Sequence, residues 1–357
     1  MSGHGVLPCQ EIEALIASGA IAAEPAVTPG QVQPASIDLR LGGVAHRLRA
    51  SFLAGAGRGV AERLETLEMH RFALDGGAVL EKGCVYLVPL AERLNLPGDL
   101  EAVTNAKSST GRLDILTRII TDGGTEFDRV APGYTGPLYA EICPRSFSVL
   151  VRPGLTLAQL RLRRGAARLD DAALAARQRG EALVSAPGHI DGGLSISVDL
   201  SAGQGPVGYR ARAHAGLVDL SRAGAHAAGD YWETLEAPRG RLVLDPGSFY
   251  ILKSREAISI PPDCAAEMAP YLAMVGEFRV HYAGFFDPGF GHDVAGGAGA
   301  RGVLEVRCHE VPFVLEHAQS VGRLVFERMA ATPDRLYGAG IGSTYQGQGL
   351  KLSKHFR

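Results

Sequence analysis

The feature that most constrains this chain is that much of it is written twice. Leu80-Glu81-Lys82-Gly83-Cys84-Val85-Tyr86-Leu87 reads against Leu244-Asp245-Pro246-Gly247-Ser248-Phe249-Tyr250-Ile251, 164 positions later. The same separation aligns Glu92 with Glu256, Leu96-Pro97 with Ile260-Pro261, Asp99 with Asp263 and Glu141 with Glu305. Nearer the start, Ser36-Ile37-Asp38-Leu39 resembles Ser197-Val198-Asp199-Leu200 at a slightly different spacing. Two homologous halves are the simplest reading. With 357 residues to divide, each half is long enough to bury its own core. We expect one unit over 1–165, a helical linker over 166–190 and a second unit over 191–357.

Within each half, short β-branched or apolar runs alternate with Gly/Pro turns, and the chain carries 46 Gly and 20 Pro but one Trp. Val85–Val88, Leu138–Ile142 and Ser148–Val151 read as strands in the first half. Phe249–Leu252, Gly302–Val306 and Val311–Leu315 read so in the second, with Pro312 marking an edge. Helices are expected at Gln10–Ser18, with Ile12, Leu15 and Ile16 on one face, and from Leu169 to about Leu183. The class is therefore mainly β with a few short helices.

Composition removes several functions. Thirty-six basic residues against 38 acidic ones leave a net charge of −2, so bulk charge draws the chain to neither nucleic acid nor an anionic membrane. No run approaches the roughly 18 apolar residues of a membrane span, and Met1–Gly5 lacks a signal-peptide layout. Five widely spaced cysteines without a CxxC pair argue against a disulfide framework or a cysteine-rich zinc site, and a cytoplasmic location fits them best.

Three segments could carry chemistry. In Lys107-Ser108-Ser109-Thr110-Gly111-Arg112, small hydroxyl residues beside a glycine let backbone N–H groups approach an anion, and the flanking cations could clamp phosphate oxygens. The same letters also describe a helix N-cap. Ala131-Pro132-Gly133-Tyr134 and Asp287-Pro288-Gly289-Phe290 are turns, each preceding a strand with a lone carboxylate, Glu141 or Glu305. Glu305 alternates onto the face of Val303. If that face is inward, burial would raise the carboxyl pKa toward that of a proton shuttle, whereas an outward face makes it an ordinary surface glutamate. Finally, Tyr337-Gly338-Ala339-Gly340-Ile341-Gly342 and Tyr345-Gln346-Gly347-Gln348-Gly349 describe either a mobile segment able to cover a ligand or a frayed tail. Gly296–Ala300 reads as a flexible hairpin tip.

Taken in order, Ile12–Gly19, Ser36–Gly42, Lys107–Arg112, Asp287–Gly291 with Glu305, and Tyr337 with Tyr345–Gly349 resemble the deoxycytidine triphosphate deaminases, relatives of the trimeric dUTPases. The chain resembles a double-length form of that family. The resemblance implies two tandem dUTPase-like distorted β-barrels. It also implies hydrolysis of dCTP to dUTP and ammonia, feeding dUMP and dTTP synthesis, with Mg²⁺ on the triphosphate and no zinc. The zinc-dependent cytidine deaminases carry a PCxxC signature that this chain lacks. It also brings dTTP as an inhibitor and a homo-oligomeric or pseudo-trimeric grouping of barrels.

The departures from the family pattern are informative. The first half keeps the clamp but has Ala131 in place of the aspartate that holds the deoxyribose. The second half keeps Asp287, with Tyr282-Ala283 upstream, but has Ala269–Met274 in place of the clamp. The resemblance thus implies one composite site per chain. Lys107, Ser108, Ser109 and Arg112 would hold the triphosphate, Asp287 the sugar and Ala283 the base. Tyr337 and Gln348 would come from the closing tail. Glu305 would shuttle the proton, with Glu141 as second choice, and Thr344 stands where relatives often have lysine. Two rivals remain: a bifunctional enzyme carrying dCTP through to dUMP and pyrophosphate, and a non-catalytic deoxynucleotide sensor.

Overall fold

The computed structural model describes residues 3–338 and 344–357, apart from 187, 202, 204, 271–277 and 282–283, and only the backbone of 278–281. The chain is mainly β, as expected. In the first half, one sheet runs in the order Arg129–Val130, Leu100–Ala106, Thr156–Arg164, Ser36–Arg40, Val32–Gln33. A second runs Ile115–Thr121, Thr135–Pro144, Val85–Asn95, Val44–Leu48, Glu68–Ala73. The second half uses matching pairs: Phe249–Ile258 lies antiparallel to Ala300–Cys308, and Cys264–Ala269 to Ser320–Arg328. The expected strands all fall within observed ones or overlap them, and among the described residues Phe313–Glu316 pairs with Arg241–Leu244 alone, at an edge.

Segments 164 positions apart fold alike for identifiable reasons. Gly83 and Gly247 adopt φ of +80° and +71°, which side chains resist. Their N–H groups donate to Pro144 O at 2.8 Å and Cys308 O at 2.9 Å. Tyr86 and Tyr250 accept from the N–H groups of Glu81 (3.0 Å) and Asp245 (2.7 Å). Glu92 is fully buried because its carboxylate accepts from Arg40 N and Nε, both at 2.8 Å, and Gln31 Nε2 at 2.9 Å. Glu256 does the same for Ser197, accepting from N at 2.9 Å and Oγ at 2.6 Å.

Packing crosses between the halves. Val218–Asp219 adds in parallel to Val149–Val151, and Tyr231, Trp232, Phe249 and Ile251 belong to the same apolar cluster as Ile37, Leu90 and Leu160. A second cluster gathers around Leu252, Leu304 and Phe326. The helix between the halves spans Asp171–Gly180, shorter than expected, because Asp170 caps it by accepting from Ala173 N at 2.8 Å and the chain turns extended at Glu181, whose N–H donates to Arg177 O at 2.8 Å. Helix Val60–Leu67 was not anticipated. The Gly296–Ala300 stretch is not a free tip: Gly297 N donates to His292 O and Gly299 N to Gly291 O, each at 2.8 Å, and a Cβ on Gly297 would lie 2.4 Å from Gly291 C. Among the described residues, no helix is long and apolar enough to cross a membrane.

Candidate active site

Strand Leu100–Ala106 runs directly into a four-residue helix, Ser108–Gly111, which brings Ser108 and Arg112 onto one side of the chain a turn apart. That side faces a cavity of about 270 Å³ whose opposite wall comes from the second half. Fit across the cavity is close. Gly284, at φ +97°, sits so near that an added Cβ would lie 2.2 Å from Ser108 Oγ.

From the second half, Asp287 opens the turn Asp287–Gly291. Its carboxylate is buried and accepts from Arg161 Nη2 at 3.0 Å. Arg161 is itself fully buried in the first-half strand Thr156–Arg164. It also donates to Ala266 O (3.1 Å) and Phe286 O (3.3 Å), and its guanidinium stacks 4.0 Å over Phe285. Burial pushes the Asp287 carboxyl up to about 6, against the pull of Arg161. Glu305 lies on strand Ala300–Cys308, 2% exposed. It shares the cavity-facing side with Val303, while Leu304 and Val306 enter the core.

Residues 344–348 lie over this space. Arg112 donates from Nη2 to Gln348 Oε1 at 2.8 Å and from Nη1 to Lys351 O at 3.0 Å, and it stacks 3.9 Å over the Tyr345 ring. Burial lowers the pKa of its guanidinium, while nearby Tyr345, Glu305 and Tyr337 oppose that. Gln348 reaches on to Arg301 O at 2.9 Å. Tyr337 accepts from Tyr345 N at 3.3 Å, and burial raises its phenol pKa. The segment expected to be mobile is thus hydrogen-bonded over 344–348; residues 339–343 lie outside the described residues.

Of the residues expected from the sequence, Lys107, Ser108, Ser109, Arg112, Asp287, Glu305, Tyr337 and Gln348 line this one cavity, as does Thr344. Lys107 stands differently from a free clamp: its ammonium pairs with Asp38 and donates to Thr156 Oγ1 at 3.0 Å. Ala283 lies outside the described residues. Glu141 is not in the cavity. It is buried on strand Thr135–Pro144 and faces Arg118, whose Nε donates to it at 3.1 Å and whose guanidinium stacks 3.7 Å over Phe127. Sequence reasoning missed Arg161, Gly284, Asp38 and Lys354 as parts of this site, and placed Tyr345 only within the covering tail.

This is a two-walled cavity on a mainly β chain, and comparison with known proteins places the chain in a family. Residues 3–166 match the N-terminal domain, and 170–356 the C-terminal domain, of 2'-deoxycytidine 5'-triphosphate deaminase. The chain belongs to the dCTP deaminase family. A crystal structure of 2'-deoxycytidine 5'-triphosphate deaminase from Agrobacterium tumefaciens is similar at 51% identity and a TM-score of 0.88, covering 93% of this chain and 100% of that one. Among curated relatives, a "dCTP deaminase, dUMP-forming" of Beutenbergia cavernae is 35% identical over 115 residues, 31% of this chain and 56% of that protein. One of Coprothermobacter proteolyticus is 32% identical over 156 residues, 42% of this chain and 76% of that protein. The chain spans about half the length of the first of these relatives.

Proposed function

We propose that the cavity binds dCTP and hydrolyses its 4-amino group, giving dUTP and ammonia. The observation that carries this is the meeting, in a single chain, of a first-half hydroxyl-and-arginine segment with a second-half aspartate and glutamate around one cavity. Ser108, Ser109, Lys107 and Arg112 hold the triphosphate, Asp287 accepts from the sugar hydroxyl, and Tyr337 and Gln348 close the space. Glu305 takes a proton from water as its oxygen adds to C4 and passes that proton to N3. From the tetrahedral carbon, which now carries both hydroxyl and amine, the hydroxyl proton moves through Glu305 to the amine. The C4–N bond breaks and ammonia leaves, so that dCTP and water balance dUTP and ammonia.

Mg²⁺ enters as part of the substrate. The described residues hold no group of three or more His, Cys, Asp or Glu suited to a metal, and Asp38 and Asp287 already serve Lys107 and Arg161. In this reading the ion rides on the phosphate oxygens, where it neutralises charge.

A second reading is that dUTP is hydrolysed further to dUMP and pyrophosphate. The names of the curated relatives favour it, since those proteins are called dUMP-forming. One experiment separates the readings: incubate the protein with dCTP and Mg²⁺, resolve the nucleotides and count ammonia. Equimolar dUTP and ammonia support the first reading, and dUMP with pyrophosphate replaces it by the second. No turnover in protein that binds dCTP leaves a deoxynucleotide sensor.

A further inference from the structure

Lys354 lines the same cavity, ten residues beyond Thr344. We propose that Lys354 is a substrate-binding residue that holds the outermost phosphate and thereby sets a preference for a triphosphate over shorter nucleotides. This rests on dCTP being the substrate.

The backbone around Lys354 is held on every side. Ser353 Oγ donates to Ser109 O at 2.8 Å, which ties the segment to the back of the clamp. Lys354 N donates to the Tyr345 hydroxyl at 3.3 Å, and Lys354 O accepts from Gly224 N at 2.9 Å. His355 is buried, and Phe356 sits against Tyr231, Trp232 and Phe147 with ring centroids 5.2, 5.8 and 6.4 Å away. With Ser353 and His355 turned into protein, Lys354 is the residue left facing the cavity mouth. Little conformational entropy remains to be lost in its backbone when a ligand arrives.

Charge says which end of the ligand it meets. Lys107 and Asp38 are its charged neighbours. With the adjoining Ser353 bonded to Ser109 O, Lys354 stands at the end of the cavity lined by Lys107, Ser108 and Ser109. Asp38 is already occupied by Lys107 and by Gln159 Nε2 at 3.3 Å, and the Arg112 fork is engaged by Gln348 and Lys351 O. Among the described residues, the Lys354 ammonium has neither an ion pair nor a hydrogen bond. Two neighbouring ammonium groups with one carboxylate between them leave positive charge that a polyanion satisfies. Partial burial and the nearby Lys107 lower the Lys354 pKa, against the pull of Asp38.

The test is calorimetric titration of the full chain with dCTP, dCDP and dCMP in Mg²⁺, comparing wild type with Lys354→Met and Lys354→Arg. The side chain stands at the cavity mouth with no hydrogen bond or ion pair among the described residues, so thermal melts should match. Loss of a charge-assisted contact predicts that Lys354→Met weakens dCTP about tenfold or more. Binding of dCMP should hardly change, the dCTP-over-dCDP preference should collapse, and Lys354→Arg should restore most of it. Equal weakening of dCTP and dCMP, or no weakening of either, overturns the assignment while leaving dCTP as ligand. A wild-type protein that binds none of the three overturns the substrate reading and this assignment with it.

Discussion

Glu141 and Glu305 occupy matching positions on matching strands, each 2% exposed, yet they face different neighbours. Arg118 covers Glu141 as a counter-ion, whereas Glu305 opens onto a cavity. Glu305→Gln should therefore lower kcat by about 10²–10⁴-fold, the usual worth of a positioned acid–base group, in protein that still binds dCTP. Glu141→Gln should leave kcat within a small factor of wild type. Activity that survives the first change and vanishes in the second would reverse the assignment. Asp287 gives a pH signature. Its carboxyl keeps a proton up to about 6 in the folded chain but loses it near 3.8 once unfolded. Protons are thus bound more by the folded state in that window, and stability falls as pH rises from about 4 to 6. If the ionised form accepts the sugar hydroxyl, kcat/KM should drop below about pH 6, and Asp287→Asn should abolish that break in the pH profile.

Elements set the precision of the site. Gly284, at φ +97°, approaches helix Ser108–Gly111 so closely that Gly284→Ala both strains its own backbone and displaces the Ser108 side chain. A displacement near 1 Å in a catalytic site costs on the order of 10²-fold, so kcat/KM should fall by about that much, measured beside an unchanged circular dichroism spectrum. Strand Val85–Asn95 carries Glu92, which holds buried Arg40. Glu92→Ala leaves that charge unpaired and should cost about 3–5 kcal/mol in denaturant unfolding. These elements were largely legible in the sequence, because Gly83 and Gly247, Tyr86 and Tyr250, and Glu92 and Glu256 each do a local job that demands that residue type. Arg161 was not legible for a physical reason. Leu160, Arg161 and Leu162 are all fully buried, so both faces of the strand are covered and no alternation distinguishes an inward charge from a surface run. The choice between the two glutamates was equally hidden, since Arg118 reaches Glu141 across a strand pair from 23 positions away. Lys354 faces the cavity only because its neighbours are gripped by residues distant in the chain.

At the scale of the molecule, residues of both halves line one cavity in a single chain. Whatever assembly the chains form, turnover per chain should stay constant on dilution through any dissociation, checked by activity alongside light scattering. A rate that falls with dissociation would mean that a neighbouring chain completes the site. The strap from Ser353 to Phe356 responds to acid. Burial pushes His355 down to about 4 from its usual 6.5, so the stability it lends is full above pH 6.5 and is lost as pH falls from 6.5 through about 4. Hydrogen exchange at residues 353–357 should accelerate over that interval, and His355→Gln should flatten the response. The contact between Ser353 and Ser109 spans 244 positions. A ribosome extruding this chain delivers the clamp early and its fastening hundreds of residues later. A nascent chain can form its first sheets long before Ser353 emerges to reach Ser109 O, so the wall carrying Ser108 and Arg112 is fastened only after both halves have been made, and a chain cut between the halves keeps that wall without its fastening.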